Sequence, residues 1–101
     1  GVPTKPGVPE PTDWTANKVE LAWPEPASDG GSPIQGYIVE VKDKYSPLWE
    51  KALDTNSPTP TATVQGLIEG NAYQFRVVAV NIGGLSEPSD PSKIFTAKPR
   101  Y

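Results

Sequence analysis

The stretch from Leu67 to Asn81 constrains the fold more than any other part of this sequence. Side chains alternate across an extended strand with a period of two, and this stretch has aromatic or apolar residues at every second position from Tyr73 onward. The residues expected to face inward are Tyr73, Phe75, Val77 and Ala79, and those expected to face outward are Gln74, Arg76, Val78 and Val80. Gly and Asn residues on either side of the run break regular structure. We therefore predict a central strand with one buried face.

Prolines exclude a helical fold. Thirteen Pro and nine Gly lie among 101 residues, and Pro removes a backbone donor and clashes with the preceding helical turn. No helical run remains between them. A chain of this length forms one domain, with a core of the size that two packed sheets provide.

Short segments elsewhere predict the remaining strands. They are a first strand near Trp14 that Pro11 ends or interrupts, and then Lys18–Trp23, Ile34–Asp43, Leu48–Leu53, Pro60–Val64 and, after the central strand, Lys93–Thr96. Leu48–Leu53 also suits one helical turn, but its place between Pro47 and a turn cluster favours an edge strand. The expected core residues are Val19, Leu21, Trp23, Tyr37, Val39, Val41, Leu67, Tyr73, Phe75, Val77 and Ala79. Seven short strands separated by turns are typical of an all-β, antiparallel Greek-key sandwich of the immunoglobulin-like kind.

Leu67 and Tyr73 supply a second signal within the same stretch. In immunoglobulin-like sandwiches, a Tyr at the start of strand F buries its ring while its hydroxyl bonds to backbone just upstream. A Leu and a Tyr six residues apart also occur by chance, but this pair precedes a predicted central strand. We predict such a corner at Tyr73.

The residues that most catalytic and metal sites need are missing. The sequence contains no His and no Cys, which excludes Ser-His-Asp and Cys-His catalysis, zinc sites with His or thiolate ligands, and disulfides. The turn cluster Ser28–Pro33 lacks the acidic alternation of a calcium loop and the Gly-Lys-Ser/Thr of a phosphate loop, so we interpret it as a plain loop. We expect no enzyme activity, no cofactor and no metal site.

Charge and hydropathy argue against two further classes of partner. The net charge of −3 disfavours nucleic acid, which needs clustered Lys and Arg, and no apolar run approaches the ~20 residues of a membrane span. No usable Asn-x-Ser/Thr sequon is present, and the absence of Cys favours a reducing compartment. We expect residues 1–8 to be an extended linker, residues 9–97 the domain, and residues 98–101 the start of a linker to a following domain.

The motifs together resemble the fibronectin type III family. The match covers roughly Pro9 to Ala97, and it rests on Val19-x-Leu-x-Trp23, Gly36-Tyr-x-Val39, Gly66-Leu67, Glu69-Gly70, Tyr73-x-Phe-x-Val-x-Ala-x-Asn81, Gly84 and Ser86-x-Pro88-Ser89. Asp29–Glu40, Trp49 and Asn81–Ser89 resemble in particular the type III modules of the giant muscle proteins titin, twitchin and projectin. Trp14 departs from the family, which more often has a smaller aliphatic residue at this point.

The resemblance implies a non-catalytic, monomeric repeat of a long cytoplasmic protein of the muscle sarcomere. Such a repeat would contribute length, elasticity and docking surface, with neighbouring immunoglobulin-like or type III domains and the myosin of the thick filament as candidate partners. A kinase domain could lie elsewhere in the parent protein. Two alternatives share the fold. Missing sequons, Cys and Arg-Gly-Asp weigh against an extracellular adhesion or receptor module, and the few exposed aromatics weigh against a carbohydrate-binding accessory module.

A candidate protein-binding face lies on the outward side of the third and central strands. Its residues are Ile38, Glu40, Lys42, Trp49, Arg76, Val78 and Val80. If Leu48–Leu53 pairs beside the third strand, Trp49 lies over Arg76 in a cation–π contact of about 0.5 to 1 kcal/mol; otherwise Trp49 fills an edge of the core. The loop Asn81–Glu87 is a second candidate, because binding residues concentrate in loops on rigid scaffolds.

Overall fold

The fold is built entirely from β-strands. A computed structural model describes all residues, 1–101. The strands are β1 (Glu10–Trp14), β2 (Val19–Ala22), β3 (Gly36–Asp43), β4 (Glu50–Asp54), β5 (Thr61–Val64), β6 (Ala72–Asn81), β7 (Gly84–Leu85) and β8 (Phe95–Thr96). The predicted all-β class is confirmed, although the structure has eight strands where seven were predicted.

Two antiparallel sheets make up the sandwich. β2 lies between β1 and β5 in a three-stranded sheet, and the second sheet has the order β4-β3-β6-β7, with β8 also pairing with β6. The longest ladder joins β3 to β6, from Gly36 opposite Val80 to Asp43 opposite Tyr73. The predicted central strand is therefore central in the structure, with neighbours on both sides.

Strand ends differ from the predicted ones by a few residues. The predicted edge strand Leu48–Leu53 begins later, at Glu50, so that Trp49 precedes β4. β1 runs through Pro11 to Trp14, with a register shift between Pro11 and Asp13. Pro is tolerated there because β1 is an edge strand, where one row of N–H groups needs no ladder partner.

Side chains from both sheets fill one core. Its buried members are Val19, Leu21, Trp23, Tyr37, Val39, Val64, Leu67, Tyr73, Phe75, Val77, Ala79, Phe95 and Ala97. All the predicted core residues are among them except Val41, which is half-buried because it lies towards the end of β3 and packs only against the rim of the core. Trp23 and Tyr37 meet edge to face, with ring centroids 5.1 Å apart. Burial raises the pKa of the Tyr37 hydroxyl above its ordinary value, and the nearby charge of Glu25 acts in the same direction.

The predicted tyrosine corner is present at the start of β6. The Tyr73 hydroxyl accepts a hydrogen bond of 2.8 Å from the backbone N–H of Ile68, and Leu67 is buried in the core. This bond ties the turn before β6 to the strand itself. It fixes where the central strand begins.

The chain that follows β6 departs from a regular strand. We predicted a single last strand at Lys93–Thr96, whereas the structure has only the two-residue strands β7 and β8, with residues 86–94 between them outside any strand. Three buried serines in this segment, Ser86, Ser89 and Ser92, make the contacts to β6. We call these three residues the serine ladder.

Each serine of the ladder makes two hydrogen bonds to one residue of β6. Its backbone N–H donates to the carbonyl of that residue, and its hydroxyl accepts from the N–H of the same residue, at distances between 2.7 and 2.9 Å. The pairs are Ser86 with Ala79, Ser89 with Val77, and Ser92 with Phe75. Each advance of three residues along this edge therefore matches an advance of two residues along β6. Pro88 and Pro91, which lack an N–H, stand between the serines, and this explains why a continuous last strand is absent.

The first residues of the chain are held by the buried side chain of Asn81. Its Nδ2 donates to the carbonyl oxygens of Gly1 at 2.9 Å and Asp29 at 2.7 Å. The approach is close, since a Cβ on Gly30 would lie 2.4 Å from the Val2 carbonyl oxygen. Residues 1–8 thus pack along the domain, and their assignment as a linker stays a prediction.

The last residues of the chain contact its first strand, β1. The Nη1 of Arg100 donates to the Thr12 carbonyl at 3.1 Å and to Asp13 Oδ1 at 2.9 Å. Its guanidinium lies 4.6 Å from the centroid of the Trp14 ring, and Trp14 packs edge to face on Phe95 at 5.8 Å. Trp14 therefore packs the first strand against Phe95 and Arg100. The sequence had predicted no partner for this Trp.

Candidate docking face

Strand pairing collects the predicted binding residues on one surface. Glu40 lies opposite Arg76, and Ile38 lies opposite Val78; directly opposite residues of an antiparallel pair project from the same side of the sheet. β4 extends this side, because Lys51 lies opposite Glu40. We call the surface the outer face, and it includes the predicted residues Ile38, Glu40, Lys42, Trp49, Arg76, Val78 and Val80.

One half of the outer face is charged. The Nε of Arg76 donates to Glu40 Oε1 at 2.7 Å, and both side chains are mostly covered, with exposed fractions of 26% and 22%. Lys51 forms a second ion pair with Asp54 at 2.7 Å. Lys42 has no carboxylate partner.

Trp49 forms the centre of the charged half. The Arg76 guanidinium lies 4.5 Å from the centroid of its ring, and Lys42 Nζ lies 6.0 Å from it. Of the two arrangements considered for Trp49, the structure has the stack over Arg76. The ring reaches Arg76 across β3 although Trp49 itself precedes β4.

The other half of the outer face is apolar, and here the sequence prediction needs a correction. Val78 was expected to be exposed, but it is only 6% exposed, because it lies on a central strand between Ile38 of β3 and the chain that follows β7. Ile38 and Val80 are half-buried. Leu85, opposite Val80 on β7, is 56% exposed. The sequence placed it in the candidate loop Asn81–Glu87 and not on this face, since its segment had no strand signature.

The second candidate, the loop Asn81–Glu87, is a tight turn closed by the pairing of Asn81 with Gly84. The Asn81 side chain is buried and holds neighbouring backbone. Ile82 is exposed in this turn, as is Leu85 of the outer face. The loop therefore adds one apolar side chain besides Leu85 and no convergent polar group.

The outer face combines charged, aromatic and apolar side chains and has no reactive group. Its polar side chains are carboxylates, ammonium groups and a guanidinium, and its ion pairs already satisfy Glu40 and Asp54. No group of three or more metal-ligating side chains lies together anywhere in the structure. No helix long and apolar enough to cross a membrane is found.

Comparison with known proteins places the chain in a family. Residues 5–95 match the fibronectin type III domain. This chain belongs to the fibronectin type III family. Fibronectin type III modules, including those of titin and myosin-binding protein C, are non-catalytic.

The module is similar to repeats of muscle proteins. The titin homolog of Caenorhabditis elegans is 40% identical over 96 residues. These residues cover 95% of this chain, but their share of that much longer protein rounds to 0%. Slow-type myosin-binding protein C of Homo sapiens is 40% identical over 93 residues, covering 92% of this chain and 8% of that protein. The crystal structure of titin domains A168–A170 matches with a TM-score of 0.90 at 40% identity, over 96% of this chain and 32% of that chain. The module thus spans under a tenth of either curated relative.

Proposed function

We propose that this fibronectin type III module is one repeat of a long, cytoplasmic, filament-associated protein of the sarcomere. In this role it contributes length, elasticity and a docking surface. Residues 9–97 form the module proper, and residues 1–8 and 98–101 connect it to neighbouring immunoglobulin-like or type III modules. The similarity to repeats of titin and myosin-binding protein C supports the proposal.

We assign docking to the outer face, and the observation that carries this assignment is the fixed position of Arg76. Its guanidinium is held on the Trp49 ring at 4.5 Å and paired with Glu40 at 2.7 Å. A side chain already fixed in position loses little conformational entropy when a partner binds. Arg and Trp are also among the residues enriched at the energetic centres of protein interfaces. The name of one relative, myosin-binding protein C, makes myosin filaments the first partner to test.

Co-sedimentation of the monomeric module with myosin filaments tests this assignment. Arg76→Glu and Leu85→Asp should each reduce the amount that sediments, because they reverse a charge and insert a carboxylate within the outer face. Lys18→Glu, in the turn between β1 and β2, and Ile94→Asp, beside Pro11 and Trp14 of β1, make the same chemical changes at exposed positions, and they should bind as the unaltered module does. Binding that survives both outer-face changes would place the site elsewhere on the module.

The sequence around this module in its parent polypeptide tests the cellular role. Further type III or immunoglobulin-like modules at a spacing of ~100 residues would support the sarcomeric proposal. A secretory leader or a membrane span would instead favour an extracellular adhesion or receptor protein.

A further inference from the structure

Cations outnumber carboxylates on the outward side of β3, β4 and β6, although the module as a whole is acidic. Three cations, Lys42, Lys51 and Arg76, lie on the outward side of β3, β4 and β6, together with two carboxylates, Glu40 and Asp54. These five side chains sum to +1, whereas the chain as a whole carries −3. An acidic partner is repelled by most of the module and attracted to this face.

Arg76 has unused hydrogen-bonding capacity. A guanidinium has five N–H donors, and the Nε of Arg76 makes the single hydrogen bond of this side chain, to Glu40. The two terminal nitrogens have no acceptor in the structure. Because Trp49 covers one face of the guanidinium plane and Glu40 fixes its Nε edge, the free pair of nitrogens is held in one orientation. A planar pair of N–H donors matches the two oxygens of a carboxylate.

Lys42 supplies a second free donor on the same ring. Its Nζ lies 6.0 Å from the Trp49 centroid and makes no hydrogen bond or ion pair. Lys51, in contrast, is already paired with Asp54. The two cations that contact the Trp49 ring, Arg76 and Lys42, therefore both keep N–H donors without an acceptor beside it.

We propose that the outer face receives an Asp or Glu side chain of a protein partner, bound by the terminal nitrogens of Arg76 and by Lys42. Apolar side chains beside that acidic residue cover Ile38, Val80 and Leu85. The inference rests on the proposed function and names the chemistry of the partner residue. A phosphorylated partner fits less well, because Glu40 lies 2.7 Å from Arg76 and repels a dianion more strongly than it repels a monoanion.

Arg76→Lys tests the role of the guanidinium separately from its charge. Lys keeps the charge and can still pair with Glu40, but it lacks the planar pair of donors. We expect this variant to bind myosin filaments about tenfold more weakly, the loss that one charge-assisted hydrogen bond represents. If Arg76→Lys binds normally while Arg76→Glu and Leu85→Asp do not, the docking face stands and the carboxylate site is wrong. If the unaltered module does not bind at all, both proposals fail.

Zero-length cross-linking identifies the partner group directly. A carbodiimide joins an amine to a carboxylate in contact with it, forming an amide while the reagent takes up the water released. Mass spectrometry of the cross-linked complex should show Lys42 joined to an Asp or Glu of the partner. Lys18, an exposed Lys in the turn between β1 and β2, is the control and should give no such product. Equal labelling of both lysines, or none at Lys42, would overturn the proposal.

Competition separates the two anion chemistries. At constant ionic strength, acetate and inorganic phosphate should displace the module from filaments only to the same small extent. Displacement by phosphate alone would indicate a phosphorylated partner and would overturn the carboxylate assignment.

Discussion

Two arginine–tryptophan stacks occur in this module, and they have nearly the same contact geometry. The Arg76 guanidinium lies 4.5 Å from the Trp49 centroid, and the Arg100 guanidinium lies 4.6 Å from the Trp14 centroid. Each Arg also contacts a carboxylate, Glu40 at 2.7 Å and Asp13 at 2.9 Å. The two stacks differ in which partner the fold holds in place.

In the outer-face stack the Arg is the fixed partner. Arg76 belongs to the central strand β6, and the Trp that covers it lies outside the strands. In the terminal stack the Trp is fixed, since Trp14 packs on Phe95 while Arg100 is the next-to-last residue. The first arrangement presents a positioned cation to a partner, and the second attaches a chain end to the domain. The same contact therefore has different uses, which are decided by the residue that the core anchors.

Replacing each Trp by Ala should produce the largest difference in stability between the two stacks. Trp14→Ala removes a ring that packs on a buried Phe and should lower the free energy of unfolding by about 2 kcal/mol, less than a fully buried Trp would cost. Trp49→Ala removes a surface contact and should cost about 1 kcal/mol. Urea denaturation measures both values. Equal losses would mean that Trp14 is no better anchored than Trp49.

Tyr73→Phe supplies a reference value from a bond outside both stacks. It removes the hydrogen bond to the Ile68 N–H and should lower the free energy of unfolding by about 0.5 to 1.5 kcal/mol. The same urea assay applies. An unchanged free energy would count against the corner as a stabilising element.

Replacing each Arg by Gln should reverse the order that the two Trp variants give. Arg76→Gln leaves Glu40 largely covered without its ionic partner and should cost about 1 kcal/mol. Arg100→Gln breaks a more exposed pair, in which Asp13 is 59% exposed, and should cost less than about 0.5 kcal/mol. A larger loss for Arg100 would contradict the assignment of Arg76 as the fixed partner.

The smallest expected difference between the two stacks is in how salt changes the mobility of each Arg side chain. Raising the salt concentration from about 0.1 M to about 1 M shortens the screening length from roughly 10 Å to roughly 3 Å, which weakens exposed pairs more than covered ones. The side-chain Nε–H of each Arg gives its own NMR signal. The heteronuclear NOE of Arg100 should fall with salt, and that of Arg76 should stay nearly constant. A parallel fall in both signals would show that the two stacks are equally exposed.

Sequence reasoning succeeded where the determining pattern is local. The alternation from Tyr73 to Ala79 and the spacing of Leu67 from Tyr73 lie within one stretch, so they predicted the buried side of β6 and the corner. The same alternation predicted which residues project from the outer face. It did not predict that Val78 is covered, because that depends on its lateral neighbours.

The contact between the two ends of the chain was beyond prediction. The stack of Arg100 on Trp14 joins residues at opposite ends of the sequence, and no periodic pattern links them. The serine ladder was missed for another reason. A repeat of Ser-x-Pro has neither the alternation nor the β-branched content of a strand, although its hydroxyls make the bonds that a strand would make.

The serine ladder also affects how such modules avoid aggregation. Unpaired strand edges invite intermolecular pairing and aggregation, a hazard that grows when similar domains are tethered at high local concentration. A rim interrupted by Pro88 and Pro91, whose serine hydroxyls and backbone turn towards their own sheet, offers an incoming chain no continuous template. In a polypeptide carrying many such modules, each could unfold and refold beside its neighbours with less risk of cross-chain misfolding along this side.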